Sequence, residues 1–224
     1  MNPSSLLSPQ QIPHKKELIK EELINSLTHG AGIVLSVFGF GALLTVSILC
    51  GDAWSIVAAS IYGIALVLLY TASTLYHALQ NPIVKHRLRI LDHCAIFVLI
   101  AGTYTPFMLI SLRASFWGSI LFVSIWLLAT FGIVLKLFFT GRYESLSTLM
   151  YVVMGWLVVV AAKQMIESVP LPGLYWLAAG GIVYSIGAIF YAWKNIPYNH
   201  SLWHVFVLIG SICHYIAICF YVVC

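Results

Sequence analysis

Seven apolar runs of about 20 residues each, with little chain between them, set the limits on what this polypeptide can become. A run of that length crosses the hydrocarbon core as a helix. In hydrocarbon every backbone N–H and C=O must be bonded within the protein, so only helices and closed barrels span it. The runs lack the apolar–polar alternation of barrel strands, which selects helices. Composition agrees: 61% of the residues are hydrophobic and 8% charged, against about 25% charged in a soluble domain. A soluble fold of 224 residues cannot hide that much apolar side chain. The predicted fold is therefore an all-α, seven-helix integral membrane bundle.

The spans are predicted at about 28–50, 54–76, 90–112, 115–137, 147–164, 173–193 and 200–222. Their joints carry chain breakers, including Gly51-Asp52, Asn81-Pro82, Gly141-Arg142, Pro170-Leu171-Pro172-Gly173 and Asn195-Ile196-Pro197. Pro106 falls inside the third span and should kink it. Gly30, Gly32, Gly39 and Gly41, and Gly180 with Gly181, suit close helix contact. Residues 1–27 form a separate region. The first sixteen residues are rich in Ser, Pro and Gln and read as a tail without a signal peptide's apolar core. Leu18, Ile19, Leu23, Ile24 and Leu27 among Glu17, Lys20, Glu21 and Glu22 suggest a short amphipathic helix on the membrane surface. Residues 28–224 form the seven-span domain, and no internal repeat stands out.

Lysines and arginines orient the bundle. One side collects Lys15, Lys16, Lys20, Lys85, Arg87, Arg89, Lys136, Arg142 and Lys194, and the other only Arg113 and Lys163. The richer side is expected in the cytoplasm, with the N-terminus inside and the C-terminus outside. That orientation is opposite to rhodopsin-like receptors. A net charge of +4, dispersed in this way, does not point to nucleic acid. Cys50, Cys94, Cys213, Cys219 and Cys224 form no C-x-x-C pair and read as small buried hydrophobes, not as a disulfide framework. The expected location is a cell membrane.

Polar residues inside such spans are costly and are functional by default. His77 ends span two, Asp92 begins span three, and His200-x-x-x-His204 opens span seven, all on the Lys/Arg-rich side. Residues four apart on a helix lie about 40° apart on one face, so His200 and His204 reach one ion together. With His77 they supply three neutral imidazoles, the ligand number of a catalytic zinc site. Zinc lowers the pKa of its water to about 7. Asp92 would hydrogen-bond a ligand or the water, and Ser73, one turn from His77, would hold a carbonyl or its oxyanion. The alternative in the same residues is a set of helix-end histidines facing headgroups, with Asp92 a cap or a partner for Arg89.

The surrounding polar residues read as supporting ones. His29 shares the face and fits packing or a headgroup contact, with a place beside the metal as the other reading. Glu21 and Glu22 read as a solvated helix face, with an approach to the site mouth as the alternative. His93 points about 100° away from Asp92 around the helix and is not expected to be a ligand. His214 lies about 15 Å along span seven from His204, too far for the same ion, and reads as an interhelical hydrogen-bonding residue.

Glu22-x-x-Asn25-Ser26-x-Thr28-His29-Gly30, Ser73-x-x-x-His77, Leu91-Asp92-His93 with Gly102-Thr103-Tyr104-Thr105-Pro106, and His200-x-x-x-His204 with His214 occur in that order. The chain thereby resembles, over nearly its whole length, the hemolysin III branch of the progestin and adipoQ receptor family. That resemblance implies seven helices, a cytoplasmic N-terminus and zinc held by His77, His200 and His204, with Asp92 and Ser73 beside the metal. A wider relationship to alkaline ceramidases implies hydrolysis of a lipid amide, with a membrane lipid as substrate or ligand. Two alternatives stand beside an enzyme: a cytolytic pore and a lipid-binding receptor without turnover. No span carries the full-length polar stripe that a water-filled channel wants. A two-haem reading of His200 and His214 lacks facing ligands on a second span. The motifs do not specify an oligomeric state.

Overall fold

The structure, a computed structural model, describes residues 11–223. Its helices are α1 (Gln11–Cys50), α2 (Ala53–Ala78), α3 (Pro82–Pro106), α4 (Phe116–Phe139), α5 (Glu144–Gly155), α6 (Ala162–Ser168), α7 (Leu171–Ala192) and α8 (Asn199–Tyr221). A π-helical turn, Phe107–Ser111, extends α3, and a 3-10 turn, Leu157–Ala161, joins α5 to α6. Among the described residues, seven segments are long and apolar enough to cross a membrane, so this is a multi-pass membrane protein. In chain order α1 packs on α2, α2 on α3 and α3 on α4, while α8 packs on both α7 and α1. The segments of α2 and α3 are the most enclosed, at 56% and 67% buried. Side chains rooted there are therefore the ones held in the bundle interior.

Several boundaries differ from the sequence reading. The segment at 17–27 is continuous with the first span, forming one helix through Cys50. Its Leu18, Ile19, Leu23, Ile24 and Leu27 are exposed, whereas Asn25 and His29 are buried. The apolar face thus points to lipid, and the polar face of the same turns points into the bundle. Helix α3 starts eight residues before the predicted position. Asn81 Oδ1 accepts from the N–H groups of Ile83 (3.1 Å) and Val84 (3.3 Å), and Pro82 takes the first helical position. Cap and proline together make a strong start signal, so the basic turn Lys85–Arg89 is helical. Asp92 consequently sits within the helix and cannot cap it. Arg89 pairs with Glu144, and no ion pair joins it to Asp92 among the described residues.

The fifth span is broken where a continuous helix was predicted. Tyr104 on α3 bridges the break: its hydroxyl accepts from Val158 N–H (2.7 Å) and donates toward Met154 O (2.9 Å) and Gly155 O (3.0 Å). Backbone groups freed inside a membrane protein need such partners. Directly after Pro106, where a kink was expected, α3 passes into a π turn closed by Leu112 N–H to Phe107 O at 2.9 Å.

Small residues allow the closest helix approaches. A Cβ at Gly32 would lie 2.3 Å from the Tyr70 ring, and one at Gly180 would lie 2.2 Å from His214. Gly41 faces open space instead, so the close-contact reading fails there. Among the described cysteines, Cys94, Cys213 and Cys219 are free and buried. Cys50, at the end of α1 remote from the histidines, is disulfide-bonded, contrary to the reading of all five as simple hydrophobes.

Candidate metal centre

The site lies where the C-terminal end of α2, the first half of α3 and the N-terminal ends of α1 and α8 meet. His77 is in the last turn of α2 and is 3% exposed, and His204, one turn inside α8, is 1% exposed. His200 is half-buried in the first turn of α8. Tyr198 precedes that turn with φ 56°, a left-handed conformation that redirects the chain, and its hydroxyl donates to Glu17 on α1. Asn199 Nδ2 donates to Tyr191 O at 2.9 Å. These contacts fix the entry of α8 and with it the direction of His200.

The three imidazoles converge. Ring centroids are 5.0 Å apart for His77–His200, 4.9 Å for His77–His204 and 4.7 Å for His200–His204. One nitrogen from each lies within 4.8 Å of the others, a grouping that could hold a metal ion. His77 Nδ1 faces Glu22 Oε2 at 3.1 Å, and Lys85 Nζ donates to that same oxygen at 2.7 Å. His204 Nδ1 faces the Asn25 carbonyl oxygen at 3.3 Å. A carboxylate and a carbonyl only accept, so both Nδ1 atoms carry the proton and both Nε2 atoms keep a free lone pair. His77 Nε2 is buried with no protein partner. An orphaned imidazole acceptor facing two other histidines is the pattern a metal ligand leaves. Three nitrogen donors suit zinc better than magnesium or calcium.

The supporting residues are partly those expected and partly not. Glu22 is no solvated surface charge; it abuts His77 and is itself held by Lys85. Ser201 Oγ donates to Asn25 Oδ1 at 2.5 Å, fixing the turn whose carbonyl orients His204. His29 packs, as expected, but its partner is the site itself: its ring stacks on His204 at 3.6 Å and 11°. Glu22, Asn25 and His29 recur at spacings of three and four, so one helix face brings them all to the histidines. That spacing was the available signal for Glu22 and Asn25. Glu21 makes no ion pair among the described residues.

A cavity of about 120 Å³ opens beside the histidines, lined among others by Ser73, Asp92, His93, His200 and His204. Asp92 is 6% exposed and Ser73 1%. The Ser73 hydroxyl has no hydrogen-bond partner of good geometry, although Asp92 is its neighbour. The cavity runs inward past Leu99, Met108 and Val207 as far as His214. His93 lines it without joining the three-histidine group. His214 Nε2 faces Leu177 O at 3.2 Å, the interhelical bond expected of it.

Comparison with known proteins matches this arrangement to one family. Residues 18–215 match the family described as "Haemolysin-III related". The chain is 45% identical over 213 residues to Hemolysin-3 of Bacillus cereus, covering 95% of this chain and 97% of that protein. It is 47% identical over 205 residues to a Hemolysin-3 homolog of Bacillus subtilis (strain 168), covering 92% and 96%. A more distant match, 30% identical over 206 residues, covers 88% of this chain and 83% of the human monocyte to macrophage differentiation factor. With its seven helices and all the motifs inside the matched range, the chain belongs to the haemolysin-III related family of membrane proteins.

Proposed function

We propose that this protein is a zinc-dependent hydrolase of a lipid amide or related lipid, working at the cytoplasmic end of its own bundle. The observation that carries the reading is the His77–His200–His204 convergence inside a cavity that also holds an acid and a hydroxyl. Zinc, when bound, supplies Lewis acidity, polarising a carbonyl and acidifying water near neutral pH. The protein residues do the rest. Glu22 and the Asn25 carbonyl hold His77 and His204 in the tautomer that offers Nε2. Asp92 accepts a hydrogen bond from the attacking water and so orients it toward the carbonyl carbon. Ser73 donates to the carbonyl oxygen as negative charge grows there; the proton that the water gives up to Asp92 passes to the amine nitrogen as the C–N bond breaks, and the acyl carbon keeps the water's oxygen as the free fatty acid. The apolar inner wall of the cavity suits the acyl chain.

The excess of Lys and Arg at the histidine end supports an N-terminus inside. A disulfide at Cys50, on the opposite end, suits the oxidising side of the membrane. The relatives' name brings a second reading, a cytolytic pore. Release of fatty acid from a lipid amide by protein in nanodiscs, followed by mass spectrometry, tests the hydrolase. Metal-dependent release supports it. Dye leakage from liposomes without any released acid would favour the pore, and neither activity would leave a lipid-binding receptor.

A further inference from the structure

Lys136 has no place in the chemistry above, yet it is 3% exposed and lines the same cavity. It sits on α4 among residues that face lipid: Val134, Leu137 and Phe138 are 44%, 56% and 76% exposed. The helix therefore turns its charged position inward. No carboxylate lies within ion-pair distance of Lys136 among the described residues. An ammonium enclosed in a membrane bundle without a counter-ion is costly, and such residues mark ligands or pathways.

The charges around it make the deficit specific. Glu144 lines the same cavity from α5, but it is engaged by Arg89 and makes no ion pair with Lys136 among the described residues. Asp92, the neighbour of His93 on α3, makes no ion pair with Lys136 either, among the described residues. His93 Nδ1 is buried without a partner on the same wall. Ser147 and Thr148 also line this wall, but their hydroxyl hydrogens go to Tyr143 O and Glu144 O. The donors left over are the Lys136 ammonium and the His93 ring, with the Arg89 guanidinium behind Glu144. That set lacks an anion.

We propose that Lys136 and His93 form an anion subsite at the histidine-end mouth of the cavity, taking the phosphate-bearing headgroup of a membrane lipid. Phosphate is the fitting chemistry because its several oxygens accept from an ammonium and a ring nitrogen together. A lipid is the fitting source because the cavity behind the cations is walled by apolar residues such as Ile96, Leu99 and Ile100. The inference names the substrate class for the proposed hydrolase and rests on that reading for its purpose, although binding itself requires neither turnover nor metal.

The test is binding to the full chain in nanodiscs of neutral phosphatidylcholine. The probes are dioctanoyl phosphatidic acid, dioctanoylglycerol and inorganic phosphate, with metal content measured on every sample. The parent should bind phosphatidic acid about tenfold or more tighter than dioctanoylglycerol, since one charge-assisted bond is worth that much. Lys136→Met should lose most of that preference and Lys136→Arg should keep it. Inorganic phosphate that binds equally well, and competes, would keep the anion subsite but overturn a lipid as its source. Equal affinity of the parent for phosphatidic acid and dioctanoylglycerol would overturn the proposal outright, and that comparison needs no variant to fold. An unchanged preference in a folded Lys136→Met protein would overturn it as well. Parent protein without metal would contradict the hydrolase reading alone and leave these comparisons intact.

Discussion

Glu22 Oε2 lies 3.1 Å from His77 Nδ1 and 2.7 Å from Lys85 Nζ, tying α1, α2 and α3 together at one carboxylate. A carboxylate behind a ligating imidazole fixes its tautomer and raises its basicity, and loss of such a partner costs about 10- to 100-fold in metal affinity or activity. Glu22→Gln keeps the length and removes the charge. Metal titration of this variant should show affinity reduced by about that factor with the helical circular-dichroism spectrum intact. Affinity equal to the parent's would mean that Glu22 serves only as a link to Lys85.

Asp92 separates catalysis from metal binding. It is buried beside the histidines and Ser73, within α3, and makes no ion pair among the described residues. Asp92→Asn should retain metal at saturating concentration and remain folded, yet lose most lipid-amide hydrolysis. Full turnover, or an inability to hold metal at all, would assign Asp92 a different role.

Tyr104 is predicted to be a structural clamp. Its hydroxyl serves Val158 N–H and the carbonyls of Met154 and Gly155 at the break in the fifth span. Tyr104→Phe leaves these groups unpaired, at a cost of about 1–3 kcal/mol each for buried polar groups. A lowered Tm in detergent and faster amide exchange at Val158 should follow. An unchanged Tm would mean that α5 and the 3-10 turn satisfy themselves without the phenol.

Orientation is open to a direct test. A reporter that works only outside the cytoplasm, fused after Cys224, should be active, because the C-terminus follows an odd number of spans from a cytoplasmic start. Activity there of a reporter confined to the cytoplasm would invert the bundle.

Much of this architecture is legible from chain chemistry, and the misses share a physical cause. Apolar length alone gives seven spans; helical spacing and shared membrane depth make His77, His200 and His204 candidates, and the family resemblance favours them over helix-end histidines facing headgroups. The 17–27 segment reads as a helix on the membrane surface, separate from the first span, because nothing in it shows that its polar face meets other helices. Inside a bilayer the same pattern is inverted, and Glu22, Asn25 and His29 turn inward while the leucines meet lipid. The early start of α3 was hidden by Lys85, Arg87 and Arg89, which look like loop charges but lie on helical turns. The break at Gly155-Trp156 carries no proline, and its support comes from Tyr104, about fifty residues earlier, so the lone Gly155 was the one local signal and a weak one. Lys136 read only as a topological charge until the structure placed it in the cavity wall.

Central to the account is one metal ion shared by three imidazoles, and elemental analysis of the purified protein tests that most directly. The parent should contain about one zinc per chain, the number that three converging nitrogen donors support. The triple variant His77→Ala, His200→Ala, His204→Ala, purified alongside and shown by circular dichroism to be helical, should contain almost none. Equal metal content in the two proteins, or none in the parent after metal-replete purification, would contradict the account.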